Sequence, residues 1–135
     1  MDPIGASPDW EWHGYRNSYV ELDGSQVQSV SGGSHWGGGA FIHARDQARI
    51  GLLMLRRGLW DGKRILSEAW FGRMLEPCPL SPQYGLLWWL NTDRDLYPSA
   101  SAASYCATGA GGNLTWIDPA ARDGFIRLVM TAIRQ

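Results

Sequence analysis

The chain reads as an α+β domain, on three observations. A helical apolar stripe over residues 44–55 ends at Gly58. A second helix is bracketed by Ser67 and Pro77. Two β-rich runs, 113–118 and 124–131, close the sequence. Helices first and sheet last is the order of an α+β architecture. With 135 residues, 44% of them hydrophobic, the length suits one compact domain spanning 1–135.

Along the chain, residues 1–19 are rich in Pro, Gly and aromatics without a period. Val20 to Val27 places two short alternating arms around Asp23-Gly24, which predicts a hairpin. Residues 28–39 are glycine-rich and predict a loop. In ARDQARIGLLML, Ala44, Ala48, Leu52 and Leu55 recur at helical spacing, with Arg45, Asp46 and Arg49 off that stripe. Asp46 and Arg49 then read as a solvated helix face, three residues apart and able to pair, and His43 as a structural residue at the N-cap position. Trp60-Asp61-Gly62-Lys63 has turn chemistry. Ser67 caps a helix over Glu68 to Leu75, and Tyr84 to Asn91 is aromatic and apolar enough for a strand. Residues 92–104 form a polar connection before the closing hairpin.

Charge excludes some partners. The net charge is -1 and the two signs are interspersed, so neither nucleic acid nor an anionic membrane is an expected partner. No apolar run reaches the roughly 20 residues of a membrane span. The N-terminus lacks the basic and apolar regions of a signal peptide, and location stays open between cytoplasm and periplasm. Cys78, Cys106, His13, His35 and His43 never approach the spacing of a zinc site; no metal or other cofactor is expected.

The stretch GGSHWGGG, residues 32–39, invites a nucleophile or a phosphate cradle and satisfies neither. A nucleophile elbow needs G-x-S-x-G, and Trp36 stands where its second glycine belongs. A P-loop needs a lysine after its glycines. Lys63 is the only lysine of the chain, and Trp60 occupies the place of the serine in S-x-x-K.

Several motifs resemble one family in the right order. They are Pro3-Ile-Gly-Ala-Ser with Trp10; the run 35–66 from HWGGGAFIHARDQARIGLL through LWDGKRIL; Tyr84-Gly with Trp88-Trp89; and Ala107-Thr-Gly-Ala-Gly-Gly-Asn113 with Trp116-Ile-Asp-Pro119. Together they are similar to the C-terminal portion of serine β-lactamase-like hydrolases: class C β-lactamases, related esterases and 6-aminohexanoate-dimer hydrolases.

The resemblance implies part of a β-lactamase/transpeptidase-like fold and an acyl-enzyme mechanism on a small-molecule ester or amide. It implies that S-x-x-K and the catalytic tyrosine belong to an upstream, N-terminal part of the same hydrolase. Tyr15-Arg16-Asn17 spells Y-x-N but follows the Pro3 segment, out of place for that role. The family's third motif, K-T-G or H-T-G, falls on Ala107, Thr108 and Gly109. Its cation for a substrate carboxylate is therefore missing, while the Ala110 backbone N–H takes the place of an oxyanion-hole donor. His35 and Trp36 fall on the cleft rim, with loop hydrogen bonding or core packing as their plainer roles. Two other readings stay open: a sugar- or peptide-binding module built on the eight tryptophans, and a non-functional remnant.

Overall fold

The computed structural model describes residues 1–13, 19–28, 39–109, 112–121 and 125–129. A short 3-10 helix, Asp2–Ile4, is followed by β1 (Glu11–His13), β2 (Tyr19–Leu22), β3 (Ser25–Gln28) and β4 (Gly39–Phe41). Next come α1 (Ala44–Leu55), β5 (Leu59–Trp60), β6 (Lys63–Arg64) and α2 (Glu68–Met74). The chain ends in β7 (Trp89–Leu90), β8 (Tyr105–Thr108), β9 (Leu114–Asp118) and β10 (Phe125–Val129). β10, β9, β8 and β7 form, in that order, an antiparallel sheet, while β1 pairs β4, β2 pairs β3 and β5 pairs β6. The architecture is α+β, as the sequence predicts.

Local chemistry explains the elements that form as expected. Asp23 and Gly24, with φ of 50° and 77°, turn the β2–β3 hairpin, and Asp61 and Gly62, at 45° and 74°, do the same for β5–β6. Both are Asp-Gly pairs with positive φ at each central residue, the turn whose twist matches that of paired strands. Helix α1 has the expected bounds. It stops where Arg57 and Gly58 take φ of 52° and 83° and the Gly58 N–H bonds the Leu53 carbonyl at 2.8 Å. A Cβ on Gly58 would also lie 2.6 Å from the Leu66 carbonyl oxygen, so glycine is required twice over. Ser67 caps α2 by accepting the Trp70 N–H at 3.1 Å.

Three expectations need correction. The inward face of α1 is not the Ala44, Ala48, Leu52, Leu55 stripe: Asp46, Gly51, Leu53 and Met54 are buried, whereas Ala44 is exposed. Asp46 does pair with Arg49, at 2.6 Å, but it is not on a solvated face. It is 1% exposed and accepts the Ser7 N–H at 3.2 Å, fixing the N-terminal segment to α1. Burial opposes its charge, yet the Ser7 N–H and the Arg49 guanidinium outweigh that and hold the carboxyl below its ordinary value. His43 is the N-cap residue, but its side chain makes no capping bond; its carbonyl accepts the Asp46 and Gln47 N–H groups instead.

The third correction concerns the strand expected over Tyr84 to Asn91, of which only Trp89–Leu90 joins the sheet. Tyr84 folds back to bridge Trp89, and the Gly85 N–H bonds the Trp88 carbonyl at 2.8 Å. The cause lies outside the segment. The Leu86 N–H is held by the Met74 carbonyl at the end of α2, 2.9 Å away, and Gly85 runs so close that a Cβ would stand 2.3 Å from that oxygen. α2 therefore breaks the strand.

Met54, Phe71, Trp88, Leu90, Tyr105 and Ile117 form the core between the helices and the sheet. Tyr105 reaches across it, its hydroxyl donating to the Met54 carbonyl at 3.1 Å, and its ring meets Trp88 edge-on at 5.2 Å.

Candidate functional site

β8 places the three described residues of the third motif in a row. Tyr105 and Ala107 share the core-facing side of the strand, with Ala107 partly buried against the core cluster, and Thr108 and Gly109 emerge into solvent. The Gly109 N–H bonds the Asn113 carbonyl at 2.9 Å and the Gly112 N–H bonds the Gly109 carbonyl at 3.0 Å, a tight return into β9. Gly112 sits at φ 79°, which favours glycine.

This corner of the sheet has an open edge. β8 pairs β9 along its whole length but pairs β7 only at Tyr105 and Cys106. In an antiparallel ladder, successive residues turn their N–H and C=O to opposite neighbours. Because Gly109 bonds Asn113 on the β9 side, Ala107 and Tyr105 also address β9, while Cys106 and Thr108 address the β7 side. β7 starts opposite Cys106, so among the described residues no strand faces the N–H and C=O of Thr108.

Ala107, Thr108 and Gly109 are thus brought together; Ala110, His35 and Trp36 lie outside the described residues. Ala107 turns its methyl group to the partly buried, core-facing side of β8, and Arg94 is exposed in the 92–104 connection.

The polar anchors at the opposite, Tyr105 end of the sheet left little trace in the residue pattern. Asn91 is buried; its Nδ2 donates to the carbonyls of Tyr97 and Ser101, both at 3.0 Å, and its Oδ1 accepts the Tyr97 N–H at 2.9 Å. Asp118 is buried at the end of β9 and accepts the Ser101 N–H at 3.2 Å, the Ser101 hydroxyl, and the Ala120 N–H at 3.1 Å. The Asp-Pro-Ala-Ala run is a turn signal that hinted at the last bond only. Together the two side chains lash the 92–104 connection to the sheet.

Burial opposes the charge of Asp118, but the bonds from Ser101 and from the following backbone prevail and lower its pKa below 3.8. A carboxyl that ionises more readily folded than unfolded stabilises the fold at neutral pH. That contribution fades as pH falls towards 3.8 and is gone below the lowered folded value. Asp118→Asn is therefore expected to flatten the loss of stability that the parent shows as pH falls through and below the ordinary carboxylate range in denaturant titrations. An unchanged acid profile would contradict this role.

Two clefts flank other parts of the fold. One, of about 430 Å³, is lined by Ser7, His43, Arg45, Asp46 and Arg49. The other, of about 360 Å³, is lined by Leu96, Tyr97, Pro98, Leu114 and Trp116, and is mostly apolar. Tyr97 also reaches Cys106, with 3.6 Å between hydroxyl and sulfur. Burial pushes the Cys106 thiol up, which keeps it protonated and unreactive. Among the described residues no group of three or more His, Cys, Asp or Glu could hold a metal ion, and no helix is long and apolar enough to cross a membrane.

Set against known protein families the chain matches no family model, and no curated protein matches it.

Proposed function

We propose that this chain is the C-terminal portion of a serine hydrolase that cleaves neutral esters or amides through an acyl-enzyme. It supplies one wall of the cleft and a backbone oxyanion donor, and the nucleophile comes from an upstream part of the same hydrolase. The observation that carries this reading is the corner at Ala107–Gly109: a strand that runs past its neighbour, has among the described residues no strand opposite Thr108, and turns back through glycines. Fixed backbone dipoles at a strand edge stabilise a developing oxyanion without reorganising.

The chain by itself is expected to take up no fluorophosphonate, since Lys63 stands beside the Asp61-Gly62 turn with no serine at S-x-x-K spacing. Stoichiometric labelling of any serine, Ser34 included, would overturn this. In a longer chain carrying S-x-x-K upstream, a short-chain nitrophenyl ester is expected to be hydrolysed more efficiently than a chromogenic cephalosporin. Ala107→Lys, whose long side chain can run from the core-facing side of β8 out to the exposed end of the strand, should narrow that gap roughly tenfold to a hundredfold, because a charge-assisted hydrogen bond contributes about 1.5–3 kcal/mol. Equal turnover of both substrates by the parent, or no response to the lysine, removes Ala107 as the determinant.

The apolar cleft walled by Tyr97 and Trp116, whose ring centroids lie 6.1 Å apart, favours a second reading as a sugar- or peptide-binding module. Calorimetric titration with oligosaccharides and peptides separates the two, since a module binds without any upstream partner.

A further inference from the structure

The apolar cleft of about 360 Å³ lies on the face of the sheet turned away from the helices. On β9, Thr115 accepts the Gln47 amide of α1 at 2.7 Å and Ile117 lies in the core, so both face the helices. Alternation turns Leu114 and Trp116 to the other side. Cys106, paired with Trp116, shares that side, and the Tyr97 hydroxyl meets its sulfur there. The 92–104 connection therefore passes over this face. Asn91 and Asp118 tie it down at the Tyr105 end, while Leu114, opposite the exposed Thr108, marks the other end.

The lining says what fits. Tyr97 and Trp116 both wall the cleft, with rings inclined at 59° rather than stacked flat and centroids 6.1 Å apart. A further ring can meet the face of one and the edge of the other, the contacts that aromatic pairs prefer. Leu96, Pro98 and Leu114 add aliphatic surface, and none of the described lining residues is charged. A cavity of about 150 Å³ takes a benzene ring, so this one has room for two fused rings. Ser99 and Tyr97 bring its only side-chain hydroxyls. A sugar carries a hydroxyl on nearly every carbon and a peptide two polar backbone groups per residue, more than this lining can match.

We infer that the cleft binds a neutral two-ring aromatic molecule with one polar substituent at its edge, held against the Tyr97 and Trp116 rings. The inference rests on reading this cleft as a ligand site, as the binding-module alternative does, and narrows the ligand to one class.

The test titrates the isotopically labelled full chain and follows the Leu114 and Ala100 amide resonances. The probes are 2-naphthol, its saturated counterpart decahydro-2-naphthol, phenol and 2-naphthoate, with maltose and tetra-alanine for the competing classes. Naphthol should bind tightest, roughly two- to tenfold over its saturated counterpart, the share that aromatic contacts add beyond buried area. Tyr97→Leu keeps an apolar wall without an aromatic face, so that preference should fall towards one, whereas Tyr97→Phe should retain it. Tyr97 is 37% exposed and Asn91 holds it by its backbone, so both variants should melt close to the parent. The preference is a ratio measured within one variant, which a change in stability does not move. If no probe shifts either resonance, the cleft is no ligand site and the module reading falls with the inference. If maltose or tetra-alanine shifts them and naphthol does not, the module reading stands and the inference alone is wrong. Phenol or naphthoate binding as tightly as naphthol, or an undiminished preference in Tyr97→Leu, also overturns it.

Discussion

Truncating Phe71 to alanine is expected to cost about 3–5 kcal/mol, and in a domain whose whole stability is about 5–15 kcal/mol that leaves the chain close to unfolding. Phe71 is the one α2 residue fully inside the core. It packs within the cluster that contains Met54 and Tyr105, and the Arg57 guanidinium lies 4.9 Å from the centre of its ring. Alanine leaves a ring-sized void between two helices already fixed by the Gly58 turn and the Ser67 cap, so collapse into it is restricted. Trp70→Ala on the same helix is the matched control, because that ring is 51% exposed. Urea denaturation of the two variants checks the prediction; similar losses for both would place the core elsewhere.

The second large effect is expected from Asn91→Ala. Three backbone groups of the 92–104 connection lose their partner, and each buried group left unsatisfied costs about 1–3 kcal/mol. The connection should respond by opening to water rather than by unfolding the domain, because Asp118 still holds Ser101. Limited proteolysis should cut first within 92–104 in the variant, and hydrogen exchange should rise there while α1 stays protected. A global loss of protection, or none, would show that Asn91 does not act as this anchor.

What could be read from the sequence was what the chain decides within a few residues. The Asp23-Gly24 and Asp61-Gly62 turns, the Ser67 cap and the Gly58 stop each act on their immediate neighbours, and each appears where the residues predict it. The misread features depend on distant partners. Asp46 is buried because Ser7, 39 residues earlier, reaches back to it. The strand over Tyr84 to Asn91 breaks because the Met74 carbonyl occupies the space its backbone needed. The candidate site divides the same way. Ala107, Thr108 and Gly109 were found by resemblance to a motif, but the open edge beside them follows only from where β7 begins. Asn91 and Asp118 gave almost no signal, since a polar residue at a strand end looks alike whether it faces water or binds a buried loop.

Helix α1 holds the far ends of the chain together through few groups. Ser7 reaches it from 39 residues before, Tyr105 from 51 residues after Met54, and Thr115 accepts from Gln47 across 68 residues. Closing large loops costs chain entropy, and here that cost is concentrated on one twelve-residue segment rather than spread over the sheet. The loops share a single clasp: when α1 unwinds, the N-terminal segment, the strand that bears Ala107 and the strand behind it all lose their tether together.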